Sequence, residues 1–462
     1  MPDWSVRPVA MLVAGTLFME NLDGTIIATA APSIARSFHV VSAQVGVCVT
    51  AYLVTVAALI PVSAWLAERW GARAVLLAAI AIFTGASVLC ALSTNLVEIA
   101  VMRVLQGVGG AMMVPVGRLV VLSATDKKHI IKAIAYLTWP ALLAPVIAPA
   151  VGGVLTTYAS WHWIFLINVP LGALAFAVAL RIMPATPRGH PGKLDRLGFV
   201  CTALSLGCLV SAAALLGEPA VPWLATLVLG GVGLGVGALG LAHMLRACLP
   251  LVRLDALRIR TFRSAQGGGS LFRIGINAVP FLLPLLFQDQ FGWTPARAGA
   301  MVLFLFAGNV AIKPLTTPLL QAFRFRTVLI VTTTAAACSI AACALLRAST
   351  PVVILVVVLL VGGVFRSIGY TCYNTIAFAD IDQALMRQAN SLATTIQQLT
   401  QAFGVAVGVV SLKVGRQFFG LPREYSFAFV VLACLILLAT MDAIRLPRHA
   451  GDSIRRAPLV DG

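Results

Sequence analysis

Apolar runs of about 20 residues recur from one end of this chain to the other, and no feature constrains its fold more tightly. A run of that length crosses a bilayer as an α-helix. Charged residues make up only 11% of the 462-residue chain, and its mean hydropathy is +0.97. Soluble domains hold about 25% charged residues. The chain therefore reads as an all-α polytopic membrane protein. Fourteen spans are expected, at about 8–31, 45–67, 74–93, 98–122, 132–156, 163–182, 197–216, 223–244, 264–287, 297–320, 328–346, 352–375, 389–412 and 426–444. The first lacks a small-residue cleavage site, so it is expected to stay as a helix.

An even number of spans places both ends on one side, and positive charge selects that side. With the N-terminus cytoplasmic, 22 of the 33 Lys and Arg residues fall in inside segments and 6 in outside segments. The other 5 (Arg103, Arg118, Arg273, Lys313 and Arg366) fall within spans. That excess predicts cytoplasmic termini and accounts for most of the +17 net charge without a nucleic-acid partner. Nine cysteines are scattered singly with no CxxC spacing, which reads as buried apolar residues, not a metal site or disulfide frame.

Two inside segments rich in cations, 183–196 and 245–263, frame a pair of spans that carries no acid, Lys or Arg. The expected organisation is a six-helix bundle (1–182), a linker with two extra helices (183–263), a second six-helix bundle (264–446) and a cytoplasmic tail (447–462). The extra pair contains Gly235, Gly237 and Gly240 in the spacing of a dinucleotide fingerprint. Inside an apolar span with no preceding strand, those glycines read as helix–helix packing. No phosphate-binding GxxxxGK[ST] loop occurs anywhere in the chain.

The first span carries two acids, Glu20 and Asp23, three residues apart and so on one helical face. An ionised carboxylate in hydrocarbon costs several kcal/mol, so such groups face a bundle interior. The plainer alternative is a pair of acids satisfied by water near a helix end. The fourth span opens at Glu98 and continues Arg103, Gln106, Gly107, Gly109, Gly110. Arg103 must also face inward, and its natural partners are Asp23 or Glu20, either to couple protons or only to lock two helices. The glycines after it let a neighbouring backbone approach closely.

Between the second and third spans, Glu68, Arg69, Gly71 and Arg73 form a short loop suited to a charge cluster that latches helix ends on the cytoplasmic face. Its plainer role is positive-inside anchoring. A shift of 253 residues overlays Arg326 on Arg73 in a second short inside loop, a weak internal repeat. The fifth span holds Pro145, Pro149, Gly152 and Gly153. Two prolines four apart remove backbone donors on one face and bend a helix, which suits a gate. In the C-terminal half, Arg273 and Asn277 share one span, Arg366, Tyr370, Tyr373 and Asn374 another, and Gln397, Gln398 and Gln401 a third. These suit a substrate cavity, though each also suits interhelical hydrogen bonding. Arg273 and Arg366 are costly if idle; cations there favour anionic substrates, or pair with Asp289 or another acid.

The segments LDGTIIATAAPSIA, 64–73, RVLQGVGGAMMVPVGR, APVIAPAVGG and WHWIFLINVPLG together resemble the major facilitator superfamily (MFS). More closely they resemble its fourteen-helix drug:proton antiporter branch, the EmrB/QacA type, and within it the MdtD-like members. FRSIGYTCYNTIAFADID extends the likeness over nearly the whole chain. The resemblance implies two six-helix bundles around a central cavity, alternating access, and export of small molecules against proton entry. It assigns proton coupling to Asp23 and Arg103, and the antiporter signature to Pro145, Pro149, Gly152 and Gly153. The chain departs from the pattern at Ala64 and Glu68, where Gly and Asp are usual, and at Ala144 and Ala148, where Gly is usual.

The function expected is proton-coupled export of drugs or other small amphiphilic molecules, with protonation of Asp23, and of Glu20 beside it, biasing one access state. Dedicated export or facilitated passage of one metabolite is the alternative within transport, and a membrane sensor lies further off. No nucleophile–base or metal constellation points to an enzyme, and no cofactor is expected. The expected setting is the inner membrane, as a monomer, with protons and a small-molecule substrate as partners.

Overall fold

The computed structural model describes residues 6–124, 130–183, 189, 194–216, 221–247, 254–447 and 450. Lys127, Lys128, Arg188, Lys193, Arg253, Arg448, Arg455 and Arg456 of the charge pattern, Cys248 and most of the expected tail lie outside the described residues. Within them every regular element is helical. The chain runs α1 (Val6–Phe38), α2 (Gly46–Trp70), α3 (Ala72–Leu92), α4 (Leu96–Ala124), α5 (Ile130–Tyr158), α6 (Trp163–Leu166), α7 (Asn168–Ile182), α8 (Arg196–Leu216) and α9 (Trp223–Arg246). It continues with α10 (Arg260–Leu285), α11 (Pro295–Ala311), α12 (Lys313–Ala322), α13 (Phe325–Cys343), α14 (Val352–Ala377), α15 (Gln383–Phe419) and α16 (Glu424–Arg445). An apolar segment in lipid must satisfy its own backbone groups, and a helix does so within the segment.

Helix occupies each of the fourteen expected positions, but twelve helices pass as membrane spans by length and composition among the described residues. A thirteenth is obtained if α11 and α12 count as one span, which is bent by 45° at Ile312. Pro314, two residues beyond, lacks a backbone donor and crowds the carbonyl one turn earlier, which accounts for the break. In the fifth position the apolar helix among described residues is Leu143–Tyr158. The sixth expected span is interrupted at Ile167 between α6 and α7, with Pro170 just beyond.

Contacts divide the chain into two compact units, residues 1–251 with 293–300, and residues 252–292 with 301–462. In the first unit α1 packs on α5, and α4 lies between α2 and α3. The extra pair α8–α9 belongs to this unit, with α8 against α2. In the second unit α10 packs on α14, α15 and α16, and α13 packs on α14 and α16. Outward faces are apolar, as a lipid-facing surface requires: Leu224, Leu227, Leu234 and Leu239 of α9 are all exposed.

Close helix contacts are made through glycine. On α9 a Cβ at Gly233 would lie 2.9 Å from Leu209 Cγ, at Gly237 2.7 Å from Ser205 Oγ, and at Gly240 2.9 Å from Cys201 Cβ, all on α8. Gly235 meets nothing within 4 Å. The fingerprint-like spacing is therefore a packing seam with one glycine off it. In the second unit α11 and α14 touch backbone to backbone: a Cβ at Gly308 would lie 2.2 Å from Leu360 O, and at Gly363 2.0 Å from Leu305 O. Gly363→Ala is therefore expected to destabilise the detergent-purified protein by roughly 1–3 kcal/mol, the usual range for overpacking. Gly267→Ala, with open space around it in the interior of α10, is expected to raise the thermal unfolding midpoint slightly, since alanine favours a helix.

Candidate functional site

Five helices of the first unit converge on one polar cluster. Asp23 of α1 and Arg103 of α4 form an ion pair whose two side chains are fully excluded from solvent. Arg103 Nη1 donates to Asp23 Oδ2. It also donates to Gln106 Oε1 at 2.7 Å, while Nε donates to the Cys48 carbonyl of α2 at 3.3 Å. The other carboxylate oxygen, Oδ1, accepts from Gln106 Nε2 at 2.9 Å and from Asn168 Nδ2 of α7 at 2.8 Å. Ser87 of α3 accepts from both amides, at 2.8 Å and 3.4 Å. The Tyr52 ring centroid lies 4.3 Å from the Arg103 guanidinium carbon, a cation–π contact. Arg103 Nη2 and the Tyr52 hydroxyl are both buried without a hydrogen-bond partner among the described residues.

The sequence around Arg103 explains how helices come close enough to build this cluster. A Cβ at Gly107 would lie 2.8 Å from Thr55 Cβ, at Gly109 2.7 Å from Ala79 O, and at Gly110 2.7 Å from Tyr52 Oη. Glycine thus lets α4 press on α2 and α3 at the depth of the ion pair. Glu98 has a different task. Its carboxylate accepts from Thr94 N at 2.7 Å and Thr94 Oγ1 at 3.0 Å, so it fastens the start of α4.

Glu20 lies one turn before Asp23 on α1 but outside the hydrogen-bonded cluster. Its Oε2 is buried with no hydrogen-bond partner among the described residues. Of the two candidate acids, Asp23 is the one joined to Arg103.

Pro145, Pro149, Gly152 and Gly153 lie on α5, the helix packed along α1. A Cβ at Gly152 would lie 2.8 Å from Ile26 Cγ1 and 3.0 Å from Ile26 O, one turn from Asp23. Gly153 meets the backbone of Pro295, a residue grouped with this unit, at 2.5 Å. Ala144 and Ala148 are fully buried, so the unusual alanines are accommodated inside the packing.

In the loop between α2 and α3, Gly71 has φ +86°, a conformation that favours glycine. Arg73 donates to the Leu180 carbonyl at 2.6 Å and so caps the end of α7. Glu68 is exposed, and its backbone carbonyl accepts from Gly189 N at 2.7 Å. Arg69 lies over the Trp65 ring at 5.4 Å.

The second unit brings its polar residues together on α10, α14 and α15. Arg273 donates to Asn374 Oδ1 at 3.1 Å, and Arg366 donates to Asn277 Oδ1 at 3.4 Å. Gln397 of α15 donates to the Tyr370 hydroxyl. No ion pair joins Asp289 to either arginine among the described residues; Asp289 accepts from the Tyr425 hydroxyl at 3.2 Å.

Sequence reading reached Asp23, Arg103 and Gln106 but not Ser87, Asn168 or Tyr52. A single neutral polar residue in an apolar run is common, and only its position distinguishes these three. The expected energetic consequence of the cluster is direct. Asp23→Asn leaves Arg103 buried without its counter-charge, a loss of about 3–5 kcal/mol. Asp23→Asn combined with Arg103→Gln should recover much of that loss, read as a double-mutant cycle of thermal unfolding midpoints.

Comparison with known proteins places this architecture. The family model described as Major Facilitator Superfamily matches residues 13–405 and 267–457. The multidrug-resistance candidate MdtD of Klebsiella pneumoniae (strain 342) is 34% identical over 98% of each chain. The transport-protein candidate HsrA of Haemophilus influenzae is 33% identical, also over 98% of each chain. Among solved structures, a D-xylose-proton symporter shares the fold at TM-score 0.71 and 15% identity, covering 96% of this chain and 98% of its own. A peptide transporter does so at 0.72 and 14%, covering 96% and 95%. By family model, by full-length likeness to MdtD-type relatives and by fold, the chain belongs to the Major Facilitator Superfamily, as a multi-pass membrane transporter and not an enzyme.

Proposed function

We propose that the protein is a proton-coupled exporter of drugs or other small amphiphilic molecules, working by alternating access in the inner membrane with both termini cytoplasmic, and functional as a monomer. The observation that carries this reading is the Asp23–Arg103 pair, buried at span depth and tied to four helices besides α1. An acid held by an arginine away from water has two states. Ionised, it accepts from Arg103, Gln106 and Asn168 and holds α1 to α4 and α7. Protonated, it loses the ion pair with Arg103, and any bond that remains carries charge on the donor alone. The contacts holding α1 then weaken, and a different access state is favoured.

Glu20, with its buried unpartnered oxygen on the same helix, would be a second proton acceptor. Pro145, Pro149, Gly152 and Gly153 would form the gating face, since Gly152 sets the α1–α5 contact one turn from Asp23. Glu68, Arg69, Gly71 and Arg73 would serve as the cytoplasmic latch, joined to the end of α7 through Arg73. Arg273, Asn277, Arg366, Tyr370, Asn374 and Gln397 would contribute to the substrate cavity. The likeness to MdtD-type relatives over the full chain supports the drug-export reading.

Transport in everted vesicles with an imposed pH gradient tests the coupling. Wild-type protein should release protons in a substrate-dependent manner, and Asp23→Asn, compared per amount of folded protein, should abolish that movement. Substrate-dependent proton movement that survives the substitution unchanged would sink the coupling role of Asp23.

A further inference from the structure

The two units treat their buried arginines differently. In the first, Arg103 is neutralised by Asp23. In the second, Arg273 is 2% exposed, and its partners are the Asn374 amide oxygen, the Gln266 amide oxygen and the Ala265 carbonyl. Arg366, one helix away, has the Asn277 amide oxygen as its partner. Neither arginine has an ion pair with a carboxylate among the described residues. Asp442, one of the two acids of α16, accepts from Ser264 at 2.5 Å.

The pattern is a crossed lattice. Arginine and asparagine stand one turn apart on α10, and the same two residue types stand two turns apart on α14. Each arginine reaches the asparagine of the other helix, and the Tyr370 ring centroid lies 6.0 Å from the Arg273 guanidinium carbon. Neutral amides orient the two cations without cancelling their charge. Arg273 Nε and Arg366 Nη1 remain buried donors with no hydrogen-bond partner among the described residues. A guanidinium left with free donors at membrane depth is costly unless an anion completes it, and the planar fork suits a carboxylate, sulfonate or phosphate group. Arg366 also lines a narrow cleft of about 20 Å³, room for one water, whose other walls are almost wholly apolar, among them Ile276, Leu305, Ile340 and Val358.

We propose that this α10–α14 face is the subsite for the anionic group of an amphiphilic substrate, received by Arg273 and Arg366. This deepens the transporter reading above and rests on it for the word substrate, whereas binding can be measured without transport.

The test uses two dyes with one ring skeleton and opposite charge, fluorescein and rhodamine 6G. Binding is followed by fluorescence anisotropy on the purified full chain in phosphatidylcholine nanodiscs, with no pH gradient. Fluorescein should bind more tightly than rhodamine 6G by roughly ten-fold or more, the range of a hydrogen-bonded charge. Arg366→Gln and Arg273→Gln should each remove about that factor, and Arg366→Lys should restore part of it. Equal or tighter binding of rhodamine 6G, no binding of fluorescein, or fluorescein binding that both Gln variants leave intact overturns the proposal. Displacement of fluorescein when phosphatidylglycerol is added to the nanodisc assigns the face to a lipid headgroup and overturns it as well. If either Gln variant loses its monodisperse elution profile, the wild-type dye pair decides alone. Loss of coupling in vesicles with charge selectivity retained here would refute the proton mechanism and leave the subsite standing.

Discussion

Placing a carboxylate and a guanidinium together inside a bilayer demands that each satisfy the other and that surrounding groups satisfy what remains. Asp23 and Arg103 meet most of that demand by drawing in five helices, with Arg103 Nη2 alone of the guanidinium nitrogens left without a hydrogen-bond partner among the described residues. Asp23 Oδ2 takes the arginine, while Oδ1 takes two amides from α4 and α7. Ser87 then accepts from those same amides, so α3 is recruited, and the Cys48 carbonyl brings in α2. The packing of the first unit follows from this requirement. Gly107, Gly109 and Gly110 sit where they do because a longer side chain would hold α4 too far from α2 and α3 for the bonds to close. In lipid no hydrophobic force presses helices together, so close packing and polar contacts must supply the cohesion.

The second unit solves a related problem with other means. Its arginines are oriented by amides and flanked by Tyr370, and its backbone contact between α11 and α14 runs through paired glycines. The two units thus hold their buried arginines in different electrostatic conditions. In the first, Arg103 is paired with a carboxylate; in the second, Arg273 and Arg366 are held by neutral amides.

Much of this was legible in the sequence because membrane burial makes certain residues conspicuous. A charge in an apolar run has few places to go, which is why Asp23 and Arg103 pointed to each other. The glycine run after Arg103 and the glycine seam of α9 were readable as close helix contact for the same reason. Partner identity was not readable: nothing in α9 says that its glycines meet Ser205 and Cys201 of α8. Asn168 and Ser87 were missed because a neutral polar residue is cheap in a helix and carries no sign of its partner. The break at Ile312 was missed because Pro314 resembles the prolines of α5 and α10, which lie within continuous helices. Whether a proline kinks or breaks depends on what surrounds it.

The α8–α9 pair touches the remainder of its unit chiefly along α2, and its glycine seam closes on itself. A water-soluble protein that gained two such helices would need a new greasy face to receive them, and losing them would strip that face bare to water. In a bilayer both surfaces are solvated alike, because a lipid tail is as apolar as leucine. The pair is therefore a nearly cost-free accretion in solvation terms. Transporters of one fold can differ by a helical hairpin without rebuilding the buried polar cluster at their core.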